Sequence, residues 1–386
     1  MSLRIGAGIS AHPDALEGSA EAARAASSAL AGAGADLALV FASGAHLAAP
    51  EVTLEAVHDV LAPGALIGCG AGGVLGAGRE LESGTGVAVW AATCEGAGEL
   101  RPFHATATPE IVDGLPELAG ADGAILLSDP YSFPTDSVLV ALADSAPAVP
   151  VLGGMSSART AEGAAALFCG DQVQEQGAVG VGLRGIEMLP CVSQGAAPLG
   201  REVTITAAEG HIIHELAGRP ALETVERIIA ELRPRERSLI AAGVLIGIVI
   251  DSGKPEYTQG DFLVRGVLGA DPDTGRLAVG ATVHEGQVVR LHARDAKSAD
   301  EDLRRALGLR VQALAGARPA GALVFSCNGR GQAMFGARDH DARAVERELG
   351  GAPAAGFFAA GEIGPVGGRS FLHGFTATVA VFPRST

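Results

Sequence analysis

Gly321–Ser326 (GALVFS) is a short apolar run, followed by a helix-like stretch at Asp341–Leu349, a second run at Ala354–Phe358, the loop AAGEIGPVGG and a third run at Gly374–Phe382. Short β-branched and apolar runs bounded by Gly, Pro or Asn read as strands, and apolar spacing near 3.6 reads as helix. The order is therefore strand, helix, strand, glycine-rich excursion, strand.

Upstream, the same order appears at Gly123–Leu127 (GAILL), a helix near Thr135–Asp144, Val149–Leu152, the turn GGMSSART and Gly177–Leu183. It appears again at Asp36–Ala42 (DLALVFA), a helix from about Val52 to Leu61, Ala65–Cys69, the glycines Gly70, Gly72, Gly73, Gly76 and Gly78, and Gly86–Ala91 (GVAVWA). Three occurrences without a solenoid-like period predict a mixed α/β fold, with duplicated strand-helix-strand units forming two pseudo-related halves around mixed β-sheets.

Between the second and third occurrences, Ser238–Ile250 reads as one more apolar strand. Asp261–Leu268, Leu277–Thr282 and Gln287–Ala293 read as antiparallel strands, with DPDTG at Asp271–Gly275 as a hairpin turn. CVSQGAAPLGR at Cys191–Arg201 contains Pro198 and two glycines ahead of a new strand and a helix signal at Pro220–Leu232, so the domains are drawn as 1–198 and 199–386.

Composition narrows the function classes. Apolar residues reach 48% with only 4% aromatic, so Ala, Val, Leu and Ile must fill the core beside closely packed glycines. The 28 basic and 44 acidic residues give a net charge of −16, which repels polyanions and argues against nucleic acid as a partner. The longest apolar stretch, Ala241–Ile250, is broken by Gly243 and Gly247 and is far shorter than the roughly 20 residues of a membrane helix. The opening MSLRIGAGISAHPD has no signal-peptide pattern, so no membrane association and a cytoplasmic location are expected. Cys69, Cys94, Cys169, Cys191 and Cys327 form no CxxC pair, so neither a disulfide framework nor a zinc site is expected.

Gly68, Gly70 and Gly73 fit a dinucleotide GxGxxG, but poor helix sequence follows. Gly6, Gly8 and Ala11 precede a helix but lack the acidic residue that ribose binding needs. P-loop, HExxH and GxSxG strings are missing from the sequence. His211 and His214 could share a helical face, yet nothing nearby completes a ligand set, so neither metal nor cofactor is expected.

The richest segment is SCNGRG, Ser326–Gly331, where a strand ends in a thiol, a turn and a guanidinium. Arg330 could hold a carboxylate or phosphate bidentately, and its charge would favour the Cys327 thiolate. The blander reading is an Asn-Gly turn with a buried cysteine and a surface arginine. In Ala360–Gly368 (AGEIGPVGG), glycine N–H groups could meet a ligand while Glu362 accepts from an amine or hydroxyl. The two segments end the first and second strands of one unit, so topology should bring them to one sheet edge, either as a zwitterion site or as a structural Arg330–Glu362 salt bridge.

SCNGRG, GFFAAGEIGPVGG (Gly356–Gly368) and HGFTATVAVF (His373–Phe382) resemble the C-terminal half of the FIST family, and Asp261–Asp295 resembles its strand block. LALVFAS (Leu37–Ser43) and ALIGCGAGGVL (Ala65–Leu75) resemble its N-terminal half, so residues 1–198 and 199–386 would be the FIST N-terminal and C-terminal domains. The resemblance implies a bacterial sensory module in signal transduction that binds small molecules such as amino acids. Such modules are often joined to kinase or receptor parts. None is recognised in this sequence, so either the output passes through a separate signalling protein or ligand binding is its own end.

The expected ligand site comprises Cys327, Asn328, Gly329 and Arg330 with Gly361, Glu362, Ile363, Gly364 and Pro365, and with Arg265 and His373 as secondary members. In the N-terminal half, GAGGVLG stands where a carboxylate would be needed, and Gly73 offers none. The alternative is an enzyme in which Cys327 is the nucleophile and His373 or Glu362 moves the proton.

Overall fold

The computed structural model describes residues 3–94, 98–241 and 243–384. Repeat 1 runs β1 (Arg4–Ser10), α1 (Ala15–Ser28), β2 (Leu37–Ser43), α2 (Pro50–Leu61), β3 (Ala65–Gly70), the hairpin β4 (Val74–Gly76) and β5 (Arg79–Leu81), and β6 (Gly86–Thr93). Repeat 2 runs β7 (Glu99–Ala107), β8 (Val112–Asp113), β9 (Gly123–Ser128), α3 (Thr135–Ser145), β10 (Val151–Met155), the hairpin β11 (Leu167–Cys169) and β12 (Gln172–Gln174), and β13 (Ala178–Arg184).

Repeat 3 opens with β14 (Leu189–Gln194) and is then interrupted by an insertion. The insertion carries β15 (Ala196–Glu209), β16 (Ile212–Leu216), β17 (Arg219–Pro220), α4 (Ala221–Glu231), α5 (Pro234–Ile240), β18 (Leu245–Val249), β19 (Phe262–Asp271), β20 (Arg276–Val279) and β21 (Val288–Arg294). The repeat resumes with α6 (Ala296–Ala313), β22 (Pro319–Cys327), α7 (Gln332–Phe335), α8 (His340–Glu348), β23 (Ala354–Ala359), the hairpin β24 (Glu362–Val366) and β25 (Arg369–His373), and β26 (Thr376–Pro383).

The duplication is threefold rather than twofold. Sheet orders are β1-β6-β2-β3-β11-β12, β8-β7-β13-β9-β10-β24-β25 and β14-β26-β22-β23-β4-β5. In each, the repeat's first and second strands are parallel (β2/β3, β9/β10, β22/β23) and its last strand returns antiparallel to the first. The hairpin that completes each sheet comes from another repeat: repeat 2 lends to repeat 1, repeat 3 to repeat 2, and repeat 1 to repeat 3. A parallel pair needs a crossover helix, and the long second-strand edge left over needs covering; the exchanged hairpin covers it.

The inner faces of the three sheets form one apolar core, including Phe41, Trp90, Leu127, Val181, Phe325 and Phe357. Phe41 stacks on Phe357 at 5.1 Å between centroids. Helices cover the outer faces, with α1 and α2 on the first sheet, α3 on the second, and α6 and α8 on the third. Gly68, Gly153 and Gly356 occupy one equivalent place, in register with Val40, Leu126 and Val324, and a Cβ at any of them would overlap that partner's carbonyl oxygen. The apparent dinucleotide glycines are thus packing glycines. Gly6 and Gly8 likewise leave room for the Ala26 and Ala22 carbonyls of α1 against β1.

Compactness divides the chain into Met1–Val192 with Leu303–Leu372 and Ala377–Thr386, and Ser193–Asp302 with His373–Thr376. This line differs from the 1–198 and 199–386 division, because the chain after the insertion returns to finish the third sheet. Within the second unit, β15, β21, β18, β19, β20 and β16 pair antiparallel in that order and β16 closes on β15, so the barrel has no long open edge. The expected strand over 238–250 is α5 followed by the shorter β18. His211 and His214 fall on a turn and a strand, where residues three apart face opposite sides. Among the described residues no group of three potential metal ligands occurs, and no helix is long and apolar enough to cross a membrane.

Candidate functional site

A polar residue stands at the same place at the end of each repeat's first strand: Ser43 and Cys327 are the last residues of β2 and β22, and Asp129 directly follows β9. Ser43 donates to the Gly86 carbonyl, 3.1 Å. Asp129 is buried and held by Arg159, 2.6 Å, which also lies over Tyr131. Cys327 is half-buried and begins a tight turn. The Arg330 N–H donates to the Cys327 carbonyl, 2.9 Å, the Asn328 N–H to the Ala359 carbonyl, 3.0 Å, and the Gly329 N–H to Cys327 Sγ, 3.4 Å.

Arg330 is not a surface residue at an open rim. Its Nε and Nη2 donate to Asp341 at 2.6 and 2.9 Å, and both side chains are 1% exposed. Ser326 donates to the same carboxylate, 2.7 Å, and His340 Nδ1 lies 2.9 Å from it. The Arg330 guanidinium lies over Phe335, whose ring stacks on His340. Burial alone would raise the Asp341 carboxyl, but Arg330, His340 and Ser326 outweigh it and hold the group far below the usual carboxylate range. Burial likewise works against the Arg330 charge, yet Asp341 outweighs it, with Cys327 and Glu362 adding to the effect. Two of the three guanidinium nitrogens are thus committed, while Nη1 is buried without a hydrogen-bond acceptor among the described residues.

Glu362 is fully buried and pairs in register with Gly154. Its equivalents in the other two exchanged hairpins are Val74, opposite Phe357, and Leu167, opposite Cys69, both in the central apolar core. Sequence reading placed the missing carboxylate of repeat 1 at Gly73, but strand register moves it to Val74. In the third sheet, Thr378 is buried where Ala88 and Val179 stand in the other repeats, and its hydroxyl has no hydrogen-bond partner among the described residues.

Gly361 accepts from the Met155 N–H, 2.8 Å. Ile363 packs in the apolar cluster of α3, Gly364 backs onto Thr378 and Val192, and Pro365 is half-buried. Ser157 ties the three second strands together at this end: it accepts from the Gly72 N–H, 2.9 Å, and donates to the Phe358 carbonyl. Arg265, whose Nη1 donates to its neighbour's carbonyl at 3.1 Å, and His373 belong to the second compact unit.

Sequence reading missed the residues that hold this turn in place. Glu80, from the hairpin of repeat 1, accepts the Ala342 N–H at the start of α8, 2.9 Å, while Asp339 accepts the Glu80 N–H, 2.8 Å. This is a reciprocal cap built across repeats. Glu82 accepts the Gln332 N–H with both oxygens, 2.9 Å each. Nothing local in RELESG signals contact with residues about 250 positions away.

Residues 36–219 match the FIST N domain and residues 221–365 the FIST C domain. The uncharacterized protein Rv0628c of Mycobacterium tuberculosis (strain ATCC 25618 / H37Rv) is 43% identical over 382 residues, covering 98% of this chain and all of its own length. The uncharacterized protein Mb0898c of Mycobacterium bovis is 42% identical, covering 98% of this chain and 99% of its own length.

Proposed function

The chain belongs to the FIST family, whose domains are sensory domains of signal transduction, and from that premise we propose that the strand ends of repeat 3 bind a small polar metabolite, an amino acid or short carboxylate. The observation that carries this reading is the asymmetry of the three repeats: Glu362 and Thr378 place polar groups where the other two repeats keep Val74, Leu167, Ala88 and Val179. A carboxylate in an apolar core costs several kcal/mol unless it is compensated, so core packing alone does not explain it. Cys327 is half-buried and Asn328 exposed, whereas Glu362, Arg330 and Thr378 are buried; on this reading the first two would meet the ligand from outside and the other three would hold it. Binding would be passed to a separate signalling protein.

The test is a thermal-unfolding screen against the proteinogenic amino acids and short mono- and dicarboxylates. A probe at about 100 times its Kd adds about 2.7 kcal/mol of stability. Stabilisation by a narrow set of probes, without their turnover, supports the reading. A flat screen counts against it, and turnover would favour the enzyme based on Cys327.

A further inference from the structure

The turn at the end of β22 carries a second chemistry, independent of reversible ligand binding. Cys327 and Cys169 are partly exposed, whereas Cys69, Cys94 and Cys191 are buried. Burial pushes the Cys94 thiol up to about 11, raises Cys169, and raises Cys69 still further. These three thiols are poor nucleophiles at neutral pH, because the thiolate is the reactive form.

Cys327 has the opposite surroundings. The Gly329 N–H points at its sulfur, 3.4 Å, and the buried Arg330 charge interacts favourably with it. The Arg330 fork turns its Nε and Nη2 edge to Asp341, which leaves Nη1 on the other side, buried and without an acceptor among the described residues. An unsatisfied guanidinium N–H in such a place calls for an anionic or strongly accepting group. Ser43 and Asp129, the equivalents in the other repeats, cannot be oxidised in the way a thiol can.

We infer that Cys327 is a peroxide-reactive thiol, with the Gly329 N–H and Arg330 as its thiolate-stabilising and leaving-group-stabilising partners. The Sγ thiolate attacks one oxygen of a hydroperoxide. The S–O bond forms as the O–O bond breaks, sulfur gives up two electrons, and the departing hydroxide or alkoxide takes a proton from solvent. The product is a sulfenic acid at residue 327. A polar oxygen is thereby added at the end of β22, which makes the site one of oxidative modification.

The experiment uses the full-length chain. Alkylation by iodoacetamide is followed for each of the five cysteines by peptide mass spectrometry between pH 5.5 and 9, and hydrogen peroxide treatment is followed by dimedone trapping. Cys327 should react at least roughly tenfold faster than each of the other four at pH 7, with a rate midpoint below that of a free thiol. Dimedone should add at Cys327, and Cys327→Ser should abolish the adduct. A Cys327 rate midpoint at or above that of free cysteine, or dimedone on other cysteines first, overturns the inference. The alkylation rates and the site of first dimedone addition are both read on the unmutated protein, so the outcome that overturns the inference does not depend on the Cys327→Ser variant folding.

Discussion

Glu362 and Val74 occupy the same place in two exchanged hairpins, one a fully buried carboxylate and the other a core valine. The three repeats share strand order, parallel pairing and hairpin exchange, so each is a control for the others. Where two keep apolar side chains and the third a carboxylate and a hydroxyl, the difference marks a position at which packing alone did not select the residue.

Asp341 should be the most costly polar residue of repeat 3 to remove. Asp341→Ala leaves the Arg330 charge buried without its bidentate partner, and the expected loss is about 3–5 kcal/mol. Urea unfolding measures it. The double variant with Arg330→Met should recover much of the loss, and a double variant no more stable than Asp341→Ala would contradict the pairing.

Glu80 should make stability depend on pH. Burial, opposed by the α8 N–H groups and reinforced by Asp341 and Glu82, raises its carboxyl to about 7 from 4.5. The folded state therefore holds this proton more tightly than the unfolded state. The contribution is favourable at low pH and is lost as pH rises from about 4.5 through 7, by as much as about 3 kcal/mol. Glu80→Gln keeps the acceptor for Ala342, so it should be more stable than the parent at pH 8 and nearly equal at pH 4.5, read from denaturant midpoints.

His292 should act in the opposite direction and in the second unit. Burial drops its pKa to about 4 from 6.5, so the unfolded chain takes up the proton first. Stability is lost as pH falls from 6.5 toward 4, by up to about 3 kcal/mol. The imidazole packs on Phe262, and a side chain at Gly247 would overlap it. His292→Leu should flatten this limb, measured by hydrogen exchange of β18 and β21 amides between pH 5 and 7.

Gly356→Ala tests the repeat packing. The added methyl meets the Val324 carbonyl of the paired strand, which cannot swing aside as a side chain would. A loss of about 1–3 kcal/mol or more is expected, with a similar loss for Gly68→Ala against Val40. A denaturant midpoint unchanged in both variants would show that the strands are spaced more loosely.

The three strand-helix-strand units were legible because each first strand, such as LALVFAS or GALVFS, is a short apolar run beside a clear helix. The hairpin exchange was not, since β4 near Val74 pairs with β23 near Phe357, far along the chain, and no local pattern encodes so distant a pairing. For the same reason the three copies read from the sequence were grouped into two halves. At the candidate site, the turn residues Cys327–Arg330 and Glu362 were singled out from their chemistry. Arg330 was expected to face a ligand, yet its main partner is Asp341, whose position at a helix start looks on sequence like an ordinary first-turn acid.

The most direct test of the account is calorimetric titration of the best stabilising amino acid or carboxylate from the screen into the parent chain and into Glu362→Val, which installs the residue of repeat 1. The account predicts measurable heat and saturation with the parent and at least roughly 100-fold weaker binding to the variant, a loss of about 2.7 kcal/mol, while the variant's denaturant midpoint stays close to the parent's. Equal affinity for both proteins would contradict it.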